Sequence, residues 1–419
     1  MYKGKKLLVL AGKPIGSIEL VERAKELGLY VIVADYLPAT QSPAKLIADE
    51  CWDISTAEVN EIARLCKEND VDGVLTAVHE FNINRMLDIC ELIDKPCYCK
   101  RNTWVYCDNK VAFKTLCMSN DIPVAKKYEV IIAEKASLRE IEYPVITKPV
   151  DGSGSRGFSI CHNVDELIAG YNHALQYSPG KKILVEDYIP YDATIIHYTM
   201  VHGKCFYSGI SDKVSCKFET TGASVMGFQS FPSKGEEVYL KTLDAKARSM
   251  FEEAGFTDGP IWIEAFYDGK DKFVFNEMGY RFGGSLTNYP VKYFYGVDQL
   301  DLMIACALGE EVAPTFTRNT QTKKYCILPI HIHAGIIDKI EGVDEVKSLE
   351  EVNALVPVHY VGDCIQEWGS AQQVFCYMHI LYNDNEGLRN SIVDILSKLK
   401  AIDSTGGNML YTLFDINKL

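Results

Sequence analysis

The stretch VITKPVDGSGSRGFSI, residues 145–160, narrows the fold of this chain more than any other. Lys148 sits on a β-branched, apolar run that reads as a strand. A loop of glycine and serine follows from Asp151 to Gly157, and a second apolar run begins at Phe158. The helical type of phosphate loop carries its lysine after the glycines and opens a helix. Here the lysine comes first and a strand follows, so the pattern predicts two antiparallel strands joined by a long loop. Two residues suffice to turn a hairpin. A longer loop preceded by Lys-Pro has another purpose. Glycine tolerates unusual backbone angles and lets backbone N–H groups close on a phosphate.

The chain around this stretch changes character twice. Residues 5–107 alternate strand and helix with short turns: strands at Lys5–Ala11, Tyr30–Asp35 and Gly73–Ala77, helices at Ser17–Leu27, Thr56–Asn69 and Ile83–Ile93. That alternation predicts a parallel, doubly wound sheet. Its first turn, AGKPIG, lacks the full dinucleotide fingerprint, so a Rossmann-like half that supports another domain is the better reading than an NAD site. Residues 108–190 read as α+β with antiparallel pairing. Residues 191–315 are richer in strands, with hairpins turning at His202-Gly203 and Asp268-Gly269 and a helix over Val238–Ala254. Residues 316–419 read as a further α+β domain. The expected class is therefore α/β and α+β multidomain.

Composition excludes several function classes. A net charge of −14 argues against nucleic acid as a partner. No apolar run approaches the ~18 residues of a membrane helix, so no membrane role is expected. The basic, then apolar N-terminus reads as a first strand and not a signal peptide. Fourteen cysteines scattered through apolar runs read as free thiols in a reducing cytoplasm. Cys97-Tyr98-Cys99 has poor spacing for zinc, and the two histidines of HIHAG (331–335) read as strand residues that line a cleft or pack internally rather than as ligands.

The strand lysine, the glycine loop, the acidic strand end ILVEDYIP (183–190) and the acidic hairpin PIWIEAFYDGKDKFVFNEMGYRFGGS (260–285) come in the order of the ATP-grasp superfamily, which the chain resembles over nearly its whole length. The resemblance implies a Rossmann-like N-terminal domain (1–107), a two-lobed ATP-grasp domain (108–315, lobes about 108–190 and 191–315) and a C-terminal α+β domain (316–419) similar to that of the biotin carboxylase branch. Lys110, in CDNKVAFK, then reaches an ATP phosphate, and Lys148 presents its charge to the α- and β-phosphates. Ser153, Gly154, Ser155 and Gly157 belong to the loop that closes over them. Backbone groups of Asp187, Tyr188 and Ile189 read the adenine edge, and Glu186 accepts from its amino group. Ala193 stands where many members have a ribose-binding glutamate, and Asp192 is the substitute.

Glu264 and Glu277 lie on paired strands and can face each other, which suits Mg²⁺ or Mn²⁺. The family pattern of glutamate, any residue, asparagine, proline, arginine is here Glu277-Met278-Gly279-Tyr280-Arg281. Gly279 replaces a ligand; Glu277 and Glu264 then suffice, or a water or Asn276 fills in. Arg281 keeps its place and, by resemblance, stabilises charge on the transferring phosphoryl group. His79 and Glu80, at the end of a strand in TAVHEF, and Arg156 are candidate substrate contacts.

These expectations describe an ATP- and Mg²⁺-dependent carboxylate–amine ligase, ADP-forming, working on small molecules in the cytoplasm, with a homodimer usual for the resemblance. A phosphoribosylglycinamide synthetase-like enzyme and a carboxylase keep the fold and change the substrate. Against the carboxylase, no glutamate follows Arg281 in RFGGSLTNYPVKYFYG (281–296). A nucleotide-binding protein with a decayed site is a further alternative. An NAD oxidoreductase leaves 108–300 unexplained.

Overall fold

Strand β1 (Lys6–Leu10) carries four residues in succession, Leu7 to Leu10, with no exposed surface. A strand covered on both faces belongs in a parallel sheet flanked by helices. β1 pairs in parallel with β2 (Tyr30–Ala34). Strand β3 (Glu50–Trp52) adds outside β2, and β4 (Gly73–Leu75) flanks β1 on the other side. Helices α1 (Ser17–Glu26), α2 (Ala44–Ile47), α3 (Val59–Glu68) and α4 (Glu80–Ile93) alternate with these strands. Gly28 ends α1 with φ 86°, a conformation that needs glycine, and its N–H returns to Lys25 O. The computed structural model describes residues 2–12, 15–132, 138–150, 157–319 and 323–419.

Helices α5 (Arg101–Asp108) and α6 (Lys110–Ser119) leave the parallel sheet. Asn109 caps α6, its side chain accepting from the amides of Val111 and Ala112. The cap fixes where α6 begins, so Lys110 and Lys114 stand one turn apart on one face. Beyond lies a small antiparallel sheet of β5 (Lys127–Tyr128), β6 (Val145–Pro149), β7 (Ser159–Cys161) and β8 (Ile183–Asp187), in the order β5–β8–β6–β7. The two strands expected around the glycine loop are β6 and β7, paired antiparallel. Helix Val164–Gln176 packs closely on them, because a Cβ at Gly170 would come within 2.8 Å of Thr147 Oγ1 and Cys161 Sγ.

A third, larger sheet contains β9 (Asp192–Val201), β10 (Lys204–Lys217), β11 (Ser224–Phe231), β12 (Gly259–Tyr267), β13 (Phe273–Gly279) and β14 (Lys324–Ile332). Its order is β13–β12–β9–β10–β11–β14, followed by strands Val374–Tyr382 and Val352–Pro357. The β11–β14 pair, with Gln229 opposite Ile327, joins residues 191–315 and 316–419 in one sheet. The β9–β10 hairpin turns at His202 and Gly203, both at positive φ. The β12–β13 loop is wider than a two-residue turn: Asp268 Oδ1 accepts from the amides of Lys270, Asp271 and Lys272.

The single helix expected over Val238–Ala254 is two, Glu236–Thr242 and Asp244–Glu253, broken at Leu243. The break has a tertiary cause. Tyr198 OH lies 2.6 Å from Tyr239 OH and donates to Asp244 Oδ1 at 3.0 Å, pinning both sides of the junction to β9. Among the described residues no helix is long and apolar enough to cross a membrane.

Candidate active site

Pairing of β12 with β13 sets Glu264 opposite Glu277 and Trp262 opposite Gly279. The ladder shifts register just after Glu264, so Asn276 and Glu277 both face that residue in a β-bulge. The bulge brings Asn276 to the carboxylates, where simple alternation would have turned it away. Its Nδ2 donates to Glu264 Oε1 at 3.0 Å, and its Oδ1 accepts from Lys148 Nζ at 3.0 Å.

Five charged groups extend this contact. Lys213, on β10, places Nζ 2.6 Å from Glu264 Oε2. Lys148, on β6, places Nζ 2.6 Å from Glu186 Oε1, and Lys114 of α6 takes the other oxygen of Glu186. A chain of contacts thus runs Lys213–Glu264–Asn276–Lys148–Glu186–Lys114, from the large sheet to the small one. Lys110 adds an ion pair to Glu277 at 3.8 Å. Burial pushes the Glu186 carboxyl up, but Lys148 and Lys114 outweigh it and hold it below the usual range. Glu264 behaves alike: burial raises it, and Lys213, Asn276 and Lys148 more than reverse that. Glu264 in turn raises Lys213. Lys114 is drawn down to about 8 by burial and by the like charge of Lys148, against the pull of Glu186.

Two carboxylates opposite each other repel, and here lysines and an amide offset the repulsion. Oxygen donors so arranged, reached from the facing lobe by lysines suited to phosphate, fit a hard divalent cation such as Mg²⁺. Arg281 lies at the edge of this group. Its Nη2 is 2.8 Å from Glu80 Oε1 at the start of α4, its Nη1 donates to Phe282 O, and its guanidinium sits 5.1 Å from the Trp262 ring centroid. His79, the residue before α4, is held below its ordinary pKa by burial.

Comparison with known proteins supplies the frame. Residues 109–198 match the family described as carbamoyl-phosphate synthase L chain, ATP binding domain. The phosphoribosylglycinamide synthetase structure from Anaerococcus prevotii superposes with a TM-score of 0.75 at 16% identity, covering 96% of this chain and 100% of that one. The L-amino acid ligase from Bacillus licheniformis does so at 0.73 and 20% identity, with the same coverage. The chain has an ATP-grasp fold. A formate-dependent phosphoribosylglycinamide formyltransferase from Sulfurisphaera tokodaii is 24% identical over 214 residues, 49% of this chain. In it and in the Prochlorococcus marinus protein of the same name, the match spans about half of the relative, 52% and 48%.

The expected residues fall into three groups. Lys110 pairs with Glu277, Lys148 reaches Glu264 through Asn276, and Arg281 pairs with Glu80. Ser153, Gly154, Ser155 and Arg156 lie outside the described residues. The base-reading stretch is only partly available: Asp187 N donates to Lys126 O, Tyr188 N to Pro144 O, and the Asp187 carboxylate accepts from Tyr128 OH. The Ile189 amide has no partner among the described residues. Asp192 is exposed at the start of β9, and Gly157 has φ 74°.

Two of these residues make other contacts in the structure. The expected contact of Glu186 with an adenine amino group meets a residue 1% exposed whose oxygens are both taken by lysine. Its visible role is to hold Lys148 and Lys114. Asn276, one of the alternatives for the replaced ligand, turns its Nδ2 to Glu264 and bridges to Lys148.

Gly279 has a structural reason. A Cβ there would lie 2.4 Å from the Trp262 indole, so the ring fills the place that asparagine takes in the family pattern. Tyr280, at the proline position, is buried with its hydroxyl among Asp258 O and Tyr98 O, tying the hairpin to the N-terminal domain. Sequence reasoning missed Lys114 and Lys213. Lys114 repeats Lys110 at i+4 on the same helix face, a signal present in KVAFK. Lys213 had no such signal, because only the pairing of β10 through β9 to β12 brings it to Glu264. His331 is internal, its ring edge-on to Phe218, and His333 stacks on Tyr411 at 4.2 Å.

Proposed function

We propose that this ATP-grasp chain is an ADP-forming ligase, dependent on ATP and Mg²⁺ (or Mn²⁺), that activates a small carboxylate as an acyl phosphate and couples it to an amine. The reading rests on one observation: Glu264, opposed to Glu277 on one ladder, reaches Lys148 of the facing lobe through Asn276, and Glu277 pairs with Lys110. Glu264 and Glu277 would hold the metal, which when bound neutralises and orients phosphate oxygens. Lys148 and Lys110 would meet those phosphates from the other side. The Ile189 amide would read the base, Asp192 would lie near the ribose, and Ser153, Gly154, Ser155 and Gly157 would cover the phosphates.

A carboxylate oxygen attacks the γ-phosphorus and ADP leaves. Arg281 would stabilise the charge on the transferring group. The amine lone pair then attacks the acyl carbon, phosphate leaves and the amine loses a proton. His79, Glu80 and Arg156 would border the acceptor. The L-amino acid ligase likeness and the lack of a glutamate after Arg281 favour an amine over bicarbonate as acceptor. A cytoplasmic location and a homodimer belong to the same proposal; fourteen cysteines, all free, support the first.

The test is a phosphate-release screen that pairs carboxylates with amines in the presence of ATP and Mg²⁺. A productive pair supports the ligase. ATP binding with no release from any pair supports the decayed nucleotide-binding protein instead.

A further inference from the structure

Lys213 and Glu264 come from strands that are not neighbours. β10 pairs with β9, and β9 with β12, so the lysine reaches across β9 to place its Nζ 2.6 Å from Glu264 Oε2. Both side chains are mostly enclosed, 25% and 15% exposed. The field of Glu277 reaches Lys213 as well. An ammonium built into the sheet thus stands against the carboxylate pair assigned to the metal.

Few oxygens remain there for cations. Glu264 Oε1 accepts from Asn276 and Oε2 from Lys213. Asn276 directs its Nδ2 to Glu264 and its Oδ1 to Lys148. Position 279, the ligand place of the family pattern, has no side chain, and a Cβ there would lie 2.4 Å from Trp262 Nε1. That nitrogen is buried with no hydrogen-bond partner among the described residues. An indole N–H donates and cannot accept, so it repels a metal ion rather than ligating one. The Arg281 guanidinium lies 5.1 Å from the centre of the same ring. Glu277 is the open member of the pair, 35% exposed, with Lys110 at 3.8 Å. Among the described residues no three His, Cys, Asp or Glu side chains gather as metal ligands. A hard divalent ion takes about six oxygens, which two carboxylates, phosphate and water can complete once. Two-metal sites hold their ions ~4 Å apart. A second ion here would have to share Glu264 with an ammonium of like charge.

We propose that the Glu264–Glu277 site takes one divalent cation, and that the Lys213 ammonium supplies the positive charge a second ion would otherwise bring. Lysine suits that role as a compact point charge. The proposal rests on the ATP- and Mg²⁺-dependent ligase reading and deepens it.

The experiment is equilibrium dialysis of the full chain against Mn²⁺ at saturating AMPPNP, which counts ions per chain without turnover. Electron paramagnetic resonance of the same samples reads whether two bound ions are magnetically coupled. Wild type should hold one Mn²⁺ with an uncoupled spectrum. Lys213→Met should hold two coupled ions at the same Mn²⁺ concentration. When Mn²⁺ is limiting it should bind AMPPNP about tenfold more weakly, the scale of one lost charge-assisted contact. Lys213→Arg, which keeps the charge, should return the count to one. Should Lys213→Met fail to fold, Lys213→Gln keeps a donor for Glu264, lacks the charge and is read in the same way. Two coupled ions in wild type, or a single ion in the uncharged variant, overturns the proposal and leaves the ligase reading standing. Mn²⁺ that binds no more tightly with AMPPNP than without it ends the ligase reading, and this proposal with it.

Discussion

Lys148 Nζ lies 2.6 Å from Glu186 Oε1, and the Glu186 side chain is only 2% exposed. Lys114, equally buried, takes the other oxygen. One carboxylate therefore holds two lysines in place. Removing one member of a buried charge group leaves the rest uncompensated, at about 3–5 kcal/mol. Glu186→Gln should lower the urea midpoint accordingly. Glu186→Leu combined with Lys114→Met should recover much of the loss, since two of the three buried charges go together. A midpoint unchanged in Glu186→Gln would show that the three charges contribute little.

Arg281 holds no other carboxylate than Glu80 among the described contacts, and its remaining neighbours are Phe282 O and the Trp262 ring. In the proposed ligase its charge would serve the transferring phosphoryl group without dismantling the carboxylate pair. Arg281→Ala should cut ADP release by roughly 10²–10³-fold, the scale of one lost transition-state contact. The stabilisation of the protein by ATP with Mg²⁺, a mass-action effect, should be largely retained. Turnover surviving in this variant would remove Arg281 from the chemistry.

Much of this was legible in the sequence because it depends on local pattern. The apolar runs of β1 and β2, the Gly28 end of α1, the His202-Gly203 turn and the antiparallel strands about the glycine loop all follow from spacing and turn chemistry. The opposition of Glu264 and Glu277 is likewise a property of one hairpin. What stayed hidden depends on contacts between distant segments. Lys213 reaches Glu264 across three strands, Asn276 is turned by a bulge, and Leu243 breaks a helix because Tyr198 holds both sides. Glu186 looked like a base-reading residue because its strand has the right sequence. Only the packing of α6 shows it enclosed by lysines.

Gly279 illustrates the difference between pattern and packing. Restoring the asparagine of the family pattern with Gly279→Asn should not create a better metal site, because its Cβ would lie 2.4 Å from the Trp262 ring. Overpacking of this kind costs about 1–3 kcal/mol. Adding Trp262→Leu should relieve that cost in a urea titration, and the double variant alone should show a lower Mg²⁺ requirement for ADP release. If Gly279→Asn is as stable as wild type, the ring is not what excludes the side chain.

Acid should weaken the fold through its buried histidines. Burial lowers His197 from its ordinary 6.5 to about 3 and His379 to about 3. Both are therefore neutral in the folded chain at pH 5, whereas the unfolded chain binds a proton at each. Where the unfolded state binds more protons, stability rises with pH. It is accordingly lost as pH falls from about 6.5 toward 3, with a slope approaching 1.4 kcal/mol per pH unit for each histidine. His197 stacks on Phe231 at 5.5 Å and its Nε2 has no partner among the described residues, so His197→Phe keeps a ring there and removes the titration. Urea unfolding between about pH 5 and 6.5 should show a slope lower by close to one proton in this variant. An equal slope in the two proteins would mean that His197 takes up its proton without unfolding.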